Sequence, residues 1–273
     1  MSEIFGFDVY SPTEIAERVE KIGLAKARLP FVSMLMLSIL AGAFIGLGAL
    51  YFVIIKSDAT LGFAQGQMFG GVAFSLGLFL VVIAGAELFT GNNLLVMAWA
   101  DGKISTFEIL RNWTVVFIGN FIGASGLALL VFLSHHSDMN NGAIAHKYIE
   151  IAIAKTAMPF WSAFFKGILC NVFVCLAVWM AIAGRSVVDK AIAIVFPISA
   201  FVAAGFEHSV ANMYLIPLAM LLQSTEPEGT VVNAITWLGF FQNMLPVILG
   251  NIFGGSVLVG FVYHIIYRRK STP

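Results

Sequence analysis

The chain has 273 residues, of which 59% are hydrophobic and 11% are charged; its mean hydropathy is +0.92 and its formal net charge is zero. Because soluble domains carry about 25% charged residues, this composition excludes a soluble globular protein. The zero net charge gives no sign of a nucleic-acid partner or an acidic substrate. The N-terminus is polar and acidic, so we expect no cleavable signal peptide.

Residues 1–30 are predicted to form a cytoplasmic segment with one amphipathic helix. Ser11 is placed as the N-cap, with Pro12 at the first helical position and Glu14 closing a capping box. The helix then carries an apolar stripe formed by Ile15, Val19 and Ile22. We expect this helix to dock on the surface of a membrane domain, and a partner-binding or gating role stays open as the alternative.

Six segments contain the roughly 20 apolar residues that a membrane-spanning helix needs. They run approximately over residues 31–55, 69–99, 107–134, 158–183, 189–222 and 244–267. Polar residues interrupt the second and the fifth, so each is predicted to be two half-helices that meet at an irregular loop. The predicted fold class is therefore an all-α integral membrane protein with six transmembrane helices, of which helices 2 and 5 are broken.

The predicted membrane channel domain spans residues 31–267, and residues 268–273 form a cytoplasmic tail. Each half of the domain ends in Gly-Asn-x-x-Gly, at 119–123 and at 250–254. Because each half has three spans, an odd number, the second half must be an inverted repeat of the first. Basic residues concentrate beside the spans on one side of the membrane, which predicts that both termini are cytoplasmic.

The fifth segment is interrupted by a carboxylate, an imidazole and an amide within a few residues. Ionisable side chains at membrane depth are costly and mark transport paths, so His208 is predicted to lie on the pore of a small-anion channel. The alternative is an ordinary buried histidine. Glu207 is expected to anchor its loop with Asn171 as its partner, because an unpartnered buried carboxylate is costly. Thr90 either caps a half-helix or faces the pore, and Glu87 holds its own loop.

Apolar and basic residues supply further candidates. Four apolar residues either form hydrophobic constrictions of the pore or belong to the ordinary packed core: Leu78, Leu88, Val174 and Phe201. Lys155 precedes the fourth span on the outer side, where it either attracts anions or is a plain interfacial lysine. Lys166 lies about three turns further along, and its spacing predicts no role.

The sequence predicts neither a metal site nor an enzyme. No two of the histidines stand at the i, i+4 spacing of a helical metal site: His135, His136, His146, His208 and His264. The chain also lacks His-Glu-x-x-His, Gly-x-Ser-x-Gly and a phosphate-binding glycine loop. We therefore expect no cofactor. Cys170 and Cys175 point different ways on one helix, so we expect free buried thiols.

Three motifs in order resemble the formate/nitrite transporter family over nearly the whole chain. They are Gly85-Ala86-Glu87-Leu88-Phe89-Thr90-Gly91-Asn92, Lys166-Gly167-Ile168-Leu169-Cys170-Asn171 with Val174-Cys175-Leu176-Ala177, and Gly205-Phe206-Glu207-His208-Ser209-Val210-Ala211-Asn212-Met213. The resemblance implies an aquaporin-like six-helix protomer that assembles as a homopentamer, with one pore in each protomer. It also implies formate, nitrite or hydrosulfide as the substrate and the bacterial inner membrane as the location.

The resemblance further implies roles for single residues. His208 matches the central pore histidine and Thr90 the loop threonine of the family. Leu78, Leu88 and Phe201 match residues at narrow points of the family's pore. The remaining matches are Lys155 as the lysine ahead of the fourth helix, Asn171 and Glu207 as its polar partners, and Asn251 as a pore-side asparagine on the sixth helix. Phe206 and the stretch 214–217 look closer to formate channels than to nitrite channels.

The expected mechanism neutralises the anion before it crosses the apolar region. A bare carboxylate-sized ion costs on the order of 20 kcal/mol to move into a low dielectric in the idealised limit. We expect Lys155 and the half-helix ends to attract the anion, which then takes a proton from or in concert with His208 and crosses as the neutral acid. The alternative of another class is an aquaporin-like channel for neutral solutes, although the Asn-Pro-Ala pair is absent.

Overall fold

The computed structural model describes residues 9–225 and 234–268, and the regular elements in these ranges are all helical. This confirms the predicted all-α class. The predicted tail falls, from residue 269 onward, outside the described residues, as does the start of the N-terminal segment. In chain order the helices are α1 (Pro12–Ala27), α2 (Phe31–Lys56), α3 (Phe63–Ala84), α4 (Val96–Ala100), α5 (Thr106–Leu133), α6 (Ala143–Thr156), α7 (Phe160–Ala183), α8 (Val187–Ala203), α9 (Ser209–Gln223), α10 (Trp237–Ile252) and α11 (Val262–Tyr267).

Three shorter helical pieces join these elements. A 3-10 helix, Gly91–Leu95, precedes α4, and another, His136–Asp138, precedes α6. The π-helical segment Phe253–Phe261 joins α10 to α11, so that Trp237–Tyr267 is one continuous helical run.

Five helices of the described chain are long and apolar enough to cross a membrane: α2, α3, α5, α7 and the run from α10 to α11. Helices α8 and α9 have 17 and 15 residues. At 1.5 Å per residue they are about 26 and 22 Å long, less than the hydrocarbon core of about 30 Å. Neither of them therefore crosses a bilayer alone.

Two predicted boundaries were wrong. The second segment, 69–99, begins earlier, at Phe63, where the Gln65 side chain accepts the Gly62 N–H. Its continuous helix ends at Ala84. The last segment, 244–267, also begins earlier, at Trp237, because the Thr236 hydroxyl caps the helix and buried Asn243 hydrogen-bonds to other helices rather than interrupting α10.

Helix α1 has the predicted cap. The Ser11 N–H donates to Glu14 Oε2 at 2.8 Å, and the Glu14 N–H donates to the Ser11 hydroxyl. The Ser11 hydroxyl also donates to Glu14 Oε2, and the two bonds that this carboxylate accepts from Ser11 hold the pKa of Glu14 below its ordinary value. Ile15 and Val19 are buried as predicted, whereas Ile22 is 39% exposed because it borders a cavity. The helix packs on α4, α7 and the 3-10 helix, and buried Glu20 forms ion pairs with Lys103 and Arg268.

A left-handed glycine follows each of α3 and α8. Gly85 has φ of +79° and Gly205 has φ of +69°, a region that side chains with a Cβ atom avoid. Each glycine stands two residues before a buried glutamate, Glu87 or Glu207. The turn therefore sends the chain from the end of a helix into a loop that begins with a carboxylate.

Replacing Gly205 by Val is expected to lower the free energy of unfolding by about 1–3 kcal/mol through backbone strain. A Cβ atom at Gly205 meets nothing within 4 Å, so the Cβ atom itself adds no steric overlap. The matched control is Gly126→Val in α5, where a Cβ atom also meets nothing and the backbone is helical. Thermal unfolding in detergent measures both variants. Equal melting temperatures would contradict the expectation.

Candidate functional site

The loops after α3 and α8 meet at Thr90 and His208. Both residues are buried, and Thr90 Oγ1 lies 3.1 Å from His208 Nε2. His208 is also the N-cap of α9, because its Nδ1 accepts the Ala211 N–H at 3.1 Å. An accepting Nδ1 requires the neutral tautomer with hydrogen on Nε2, which then donates to the Thr90 hydroxyl. Thr90 makes no side-chain cap, so the first of its two predicted roles is not seen, and its hydroxyl lies against His208 instead.

Aromatic rings enclose the imidazole. The Phe201 ring stacks on His208 at 6.0 Å with an interplanar angle of 17°, and Phe74 meets both rings edge-on. The four predicted constriction residues are all buried in the same apolar cluster: Leu78, Leu88, Val174 and Phe201. Two aromatic rings therefore pack directly against the His208 imidazole.

Glu207 is held by a lysine and two asparagines. Its Oε1 accepts from Lys155 Nζ at 2.8 Å, and its Oε2 accepts from Asn212 Nδ2 at 2.8 Å. Asn212 also donates to Asn243 Oδ1, and Asn243 donates to the Lys155 carbonyl at 3.0 Å. The expectation that Asn171 is the partner of Glu207 was wrong. Lys155 at the end of α6 reaches the carboxylate instead.

Asn171 joins the two loops by another route. Its Nδ2 donates to the carbonyls of Thr90 and Asn251, at 3.2 and 2.6 Å, and to Asn93 Oδ1 at 3.2 Å. Asn251 in turn donates to the Glu207 carbonyl at 3.0 Å, and its Oδ1 accepts the Ser209 N–H at 3.0 Å. The six predicted pore residues therefore form one connected network: Lys155, Glu207, Asn251, Asn171, Thr90 and His208.

A second group repeats the Glu207 arrangement around Glu87. Lys26 Nζ lies 2.9 Å from Glu87 Oε1, and Asn92 Nδ2 donates to Glu87 Oε2 at 2.7 Å. Asn92 also donates to Asn112 Oδ1, and Asn112 donates to the Lys26 carbonyl at 3.2 Å. We call the group that includes Lys26 of α1 the inner frame: Lys26, Glu87, Asn92 and Asn112. We call the group that includes Lys155 of α6 the outer frame: Lys155, Glu207, Asn212 and Asn243.

The backbone around the two frames repeats as well. Asn120 accepts the Phe89 N–H and donates to the Glu87 carbonyl, as Asn251 does for Ser209 and Glu207. The Glu87 N–H donates to the Leu37 carbonyl, and the Glu207 N–H donates to the Lys166 carbonyl. Lys166 thus holds the second loop through its backbone.

Most members of the frames were not predicted from the sequence, although their spacing is a signal that identifies them. Each glutamate stands five residues before its asparagine, and each lysine stands four residues before a proline, Pro30 or Pro159. A shared spacing also separates Asn112 from Asn120 and Asn243 from Asn251. The repeat fails at the centre, where His208 corresponds to Leu88 and Thr90 to Val210. The asymmetric residues are the ones that contact each other.

The thiols lie beside this centre. Cys170 and Cys175 are both buried and free, and Cys175 Sγ lies 3.5 Å from the Thr90 carbonyl oxygen. Among the described residues, no three side chains of the metal-binding types come together as a possible ion site.

A cavity of about 520 Å³ opens on the side of the molecule that carries α1. The buried end of the cavity is lined by Leu78, Leu88 and Asn92. Lys26 and Glu87 of the inner frame also border the cavity. Its outer rim is formed by Tyr10, Arg18, Arg185 and Lys190. The cavity therefore leads from the α1 face to two of the predicted constriction residues.

Known proteins are similar to this chain along its length. Residues 13–265 match the sequence profile of the family described as formate/nitrite transporter. The formate channel FocA of Escherichia coli (strain K12) is 38% identical over 281 residues, which cover 97% of this chain and 97% of FocA. The formate channel FocA of Haemophilus influenzae is 38% identical over 263 residues, covering 92% of each chain.

A solved structure described as a pentameric formate channel with formate bound is 37% identical, with a TM-score of 0.81. That alignment covers 88% of this chain and 98% of the solved one.

Proposed function

Because the chain belongs to the formate/nitrite transporter family, as its motifs predicted, we propose that it is a channel that moves formate across the bacterial inner membrane. Membership makes it a multi-pass membrane protein of a transporter family. The observation that carries the proposal is the contact between Thr90 and His208, which joins the two loops inside an apolar enclosure. No catalytic role is proposed for any residue.

The proposed architecture has six spans in two inverted three-helix repeats. In it, α8 and α9 together form one broken span, and α3 with the 3-10 helix and α4 forms the other. The matching inner and outer frames support this arrangement, because equivalent hydrogen bonds surround both loops. The protomer would be aquaporin-like and part of a homopentamer, with residues 1–30 and both termini on the cytoplasmic side and residues 31–267 as the membrane domain.

The tautomer of His208 determines the proposed proton step. While Nδ1 accepts the Ala211 N–H, Nε2 donates to Thr90, and the Thr90 hydroxyl hydrogen is free to bond an anion in the pore. A second proton on the ring must displace the Ala211 contact, so an anion beside the ring is needed to stabilise the imidazolium. The second proton comes from water in the pore. The imidazolium then passes its Nε2 proton through Thr90 to the anion, which leaves a neutral ring with hydrogen on Nδ1. Loss of that hydrogen to water and return of one to Nε2 restores the Ala211 contact.

Lys155 and the apolar residues complete the proposed path. Lys155 would attract anions from the outer side, with Glu207 holding the ammonium in place. The neutral acid would then pass the constriction residues Leu78, Leu88, Val174 and Phe201, where a bare anion would be poorly solvated. Asn171 and Asn251 would keep the two loops in register.

Flux of formate, nitrite and hydrosulfide into liposomes that contain the purified protein, at two pH values, tests the proposal. We expect formate to cross fastest and its flux to rise as the pH falls, because protonation supplies the species that crosses. Faster nitrite or hydrosulfide flux would replace formate by another substrate of the family. Permeation of water or glycerol without flux of any of these anions would favour a neutral-solute channel instead.

A further inference from the structure

The rim of the cavity on the α1 face carries cations that the proposed formate path does not use. The guanidinium of Arg18 lies 3.5 Å from the centroid of the Tyr10 ring, and that of Arg185 lies 4.3 Å from the same centroid. Lys190 lines the same cavity and is half-buried. Three positive side chains from two helices and the loop between α7 and α8 therefore converge on one opening.

The nearby carboxylates are already hydrogen-bonded within helix caps, and Glu14 also lies close enough to Arg185 and Arg18 to attract both. Glu14 accepts from Ser11 in the cap of α1, and Asp189 accepts the N–H groups of Arg185 and Ser186 in the cap of α8. Among the described residues, Glu87 is the single carboxylate that lines the cavity, and it pairs with Lys26. The two guanidinium groups beside the Tyr10 ring repel each other, and an anion that contacts both would relieve this repulsion.

The size of the cavity exceeds what a formate ion needs. Its volume of about 520 Å³ lies in the range of ligand pockets, about 300–1,000 Å³. A water molecule occupies about 30 Å³ in the liquid, so an anion of three heavy atoms would fill a small part of the space. Below the basic rim, side chains such as Val81, Val178 and Ile182 form an apolar part of the wall, and Lys26, Glu87 and Asn92 are the charged and polar residues there.

We propose that this cavity is a second anion site, which binds an organic anion with two or more negative charges and so closes the pore entrance on the α1 face. Guanidinium groups bind carboxylates and phosphates through paired hydrogen bonds, and the apolar wall accommodates the carbon skeleton. The ligand joins Arg18 of α1 to Arg185 and Lys190. Its binding therefore also holds α1 against the start of α8.

Calorimetric titration of the purified full-length protein with citrate tests the site directly. We expect saturable binding that weakens at higher ionic strength, because the attraction is electrostatic. The double variant Arg185→Gln/Lys190→Gln should bind citrate at least about tenfold more weakly, since two charged contacts are lost. The matched control is Lys21→Gln, which removes a charge from an exposed position of α1 that does not line the cavity.

The absence of citrate binding, or equal binding by the double variant and the parent, would overturn the proposal. If the double variant does not yield a folded protein, Arg18→Gln makes the same test from α1. Acetate should bind at least about tenfold more weakly than citrate, because it lacks the additional charges that the second and third cations contact. If inorganic phosphate binds as tightly as citrate, the proposal that the ligand is organic is overturned, since phosphate has no carbon skeleton to contact the apolar wall.

Sided flux measurements test closure of the pore. This part rests on the proposed function, whereas the titration does not. Citrate added on the α1 face of liposomes with oriented protein should reduce formate flux several-fold, and citrate on the opposite face should not. In the double variant, formate flux without citrate should stay within about twofold of the parent. Binding of citrate with unchanged flux would refute closure while keeping the site, and loss of formate flux in the parent itself would refute the proposed function alone.

Discussion

Replacing His208 by Asn is expected to remove the pH dependence of formate flux while leaving the protein folded. Asparagine is among the preferred N-cap residues, so it can accept the Ala211 N–H that His208 Nδ1 accepts now and keep the start of α9. An amide does not carry a proton across the range between pH 5 and 8, whereas an imidazole does. The proton step should therefore be lost without loss of the helix.

The expected size of the effect follows from what a positioned proton donor contributes. Proton transfer by such a side chain gives roughly a hundredfold or more in rate, and we expect formate flux to fall by a similar factor. The measurement is formate flux into liposomes between pH 5 and 8. The matched control is Thr90→Ser, which keeps the hydroxyl that Nε2 contacts and should keep the pH dependence. A His208→Asn protein with parental pH dependence would end the proposed role of the imidazole.

Removing the charge of Lys155 is expected to destabilise the protein and to weaken anion uptake. Glu207 Oε1 lies 2.8 Å from Lys155 Nζ, and the exposed fractions of the two side chains are 14% for Lys155 and 4% for Glu207. Lys155→Gln leaves a buried carboxylate without its cation, which costs about 3–5 kcal/mol. The free energy of unfolding, measured in detergent by denaturant titration, should fall by this amount.

The double variant Lys155→Gln/Glu207→Gln separates stability from uptake. Its two amides can hydrogen-bond to each other, and the one at position 207 can still accept from Asn212. The bond from Asn243 to the backbone carbonyl of position 155 is unaffected, so most of the lost stability should return. Anion uptake at low formate should stay weak, because the positive charge is still missing. A double variant with parental uptake would show that Lys155 holds Glu207 and does not attract anions.

The inner frame provides the comparison for this pair. Lys26 and Glu87 pair as Lys155 and Glu207 do, with Nζ to Oε1 distances of 2.9 and 2.8 Å, and Lys26 Nζ donates in addition to Asn92 Oδ1. Lys26→Gln should therefore lower the free energy of unfolding by about the same 3–5 kcal/mol. A much smaller loss of unfolding free energy would mean that the two frames contribute unequally to stability despite their similar hydrogen bonds.

Most of the helices could be predicted from the sequence because their signals are local. The apolar segments, the cap at Ser11 and the interruptions near Glu87 and Glu207 follow from length, hydropathy and turn chemistry within a few residues. The same was true of the central polar residues, since His208 and Thr90 stand out in apolar surroundings. Helix ends were less predictable: α10 begins at Trp237 because Asn243 finds partners on α6 and α9.

The sequence by itself determined that the chain is an all-α membrane protein with polar residues in the two loops. A polar group within an apolar run is costly to bury whatever its neighbours in space are, so it can be recognised from the sequence alone. Only the tertiary structure decided which of these buried polar groups pair with each other. Lys155 reaches Glu207 from another helix, and Asn171 holds the loop of Thr90 instead of the carboxylate. Such pairings depend on how helices far apart in the chain pack, and hydrogen bonds form only over about 3 Å, so residue types and local spacing do not specify them.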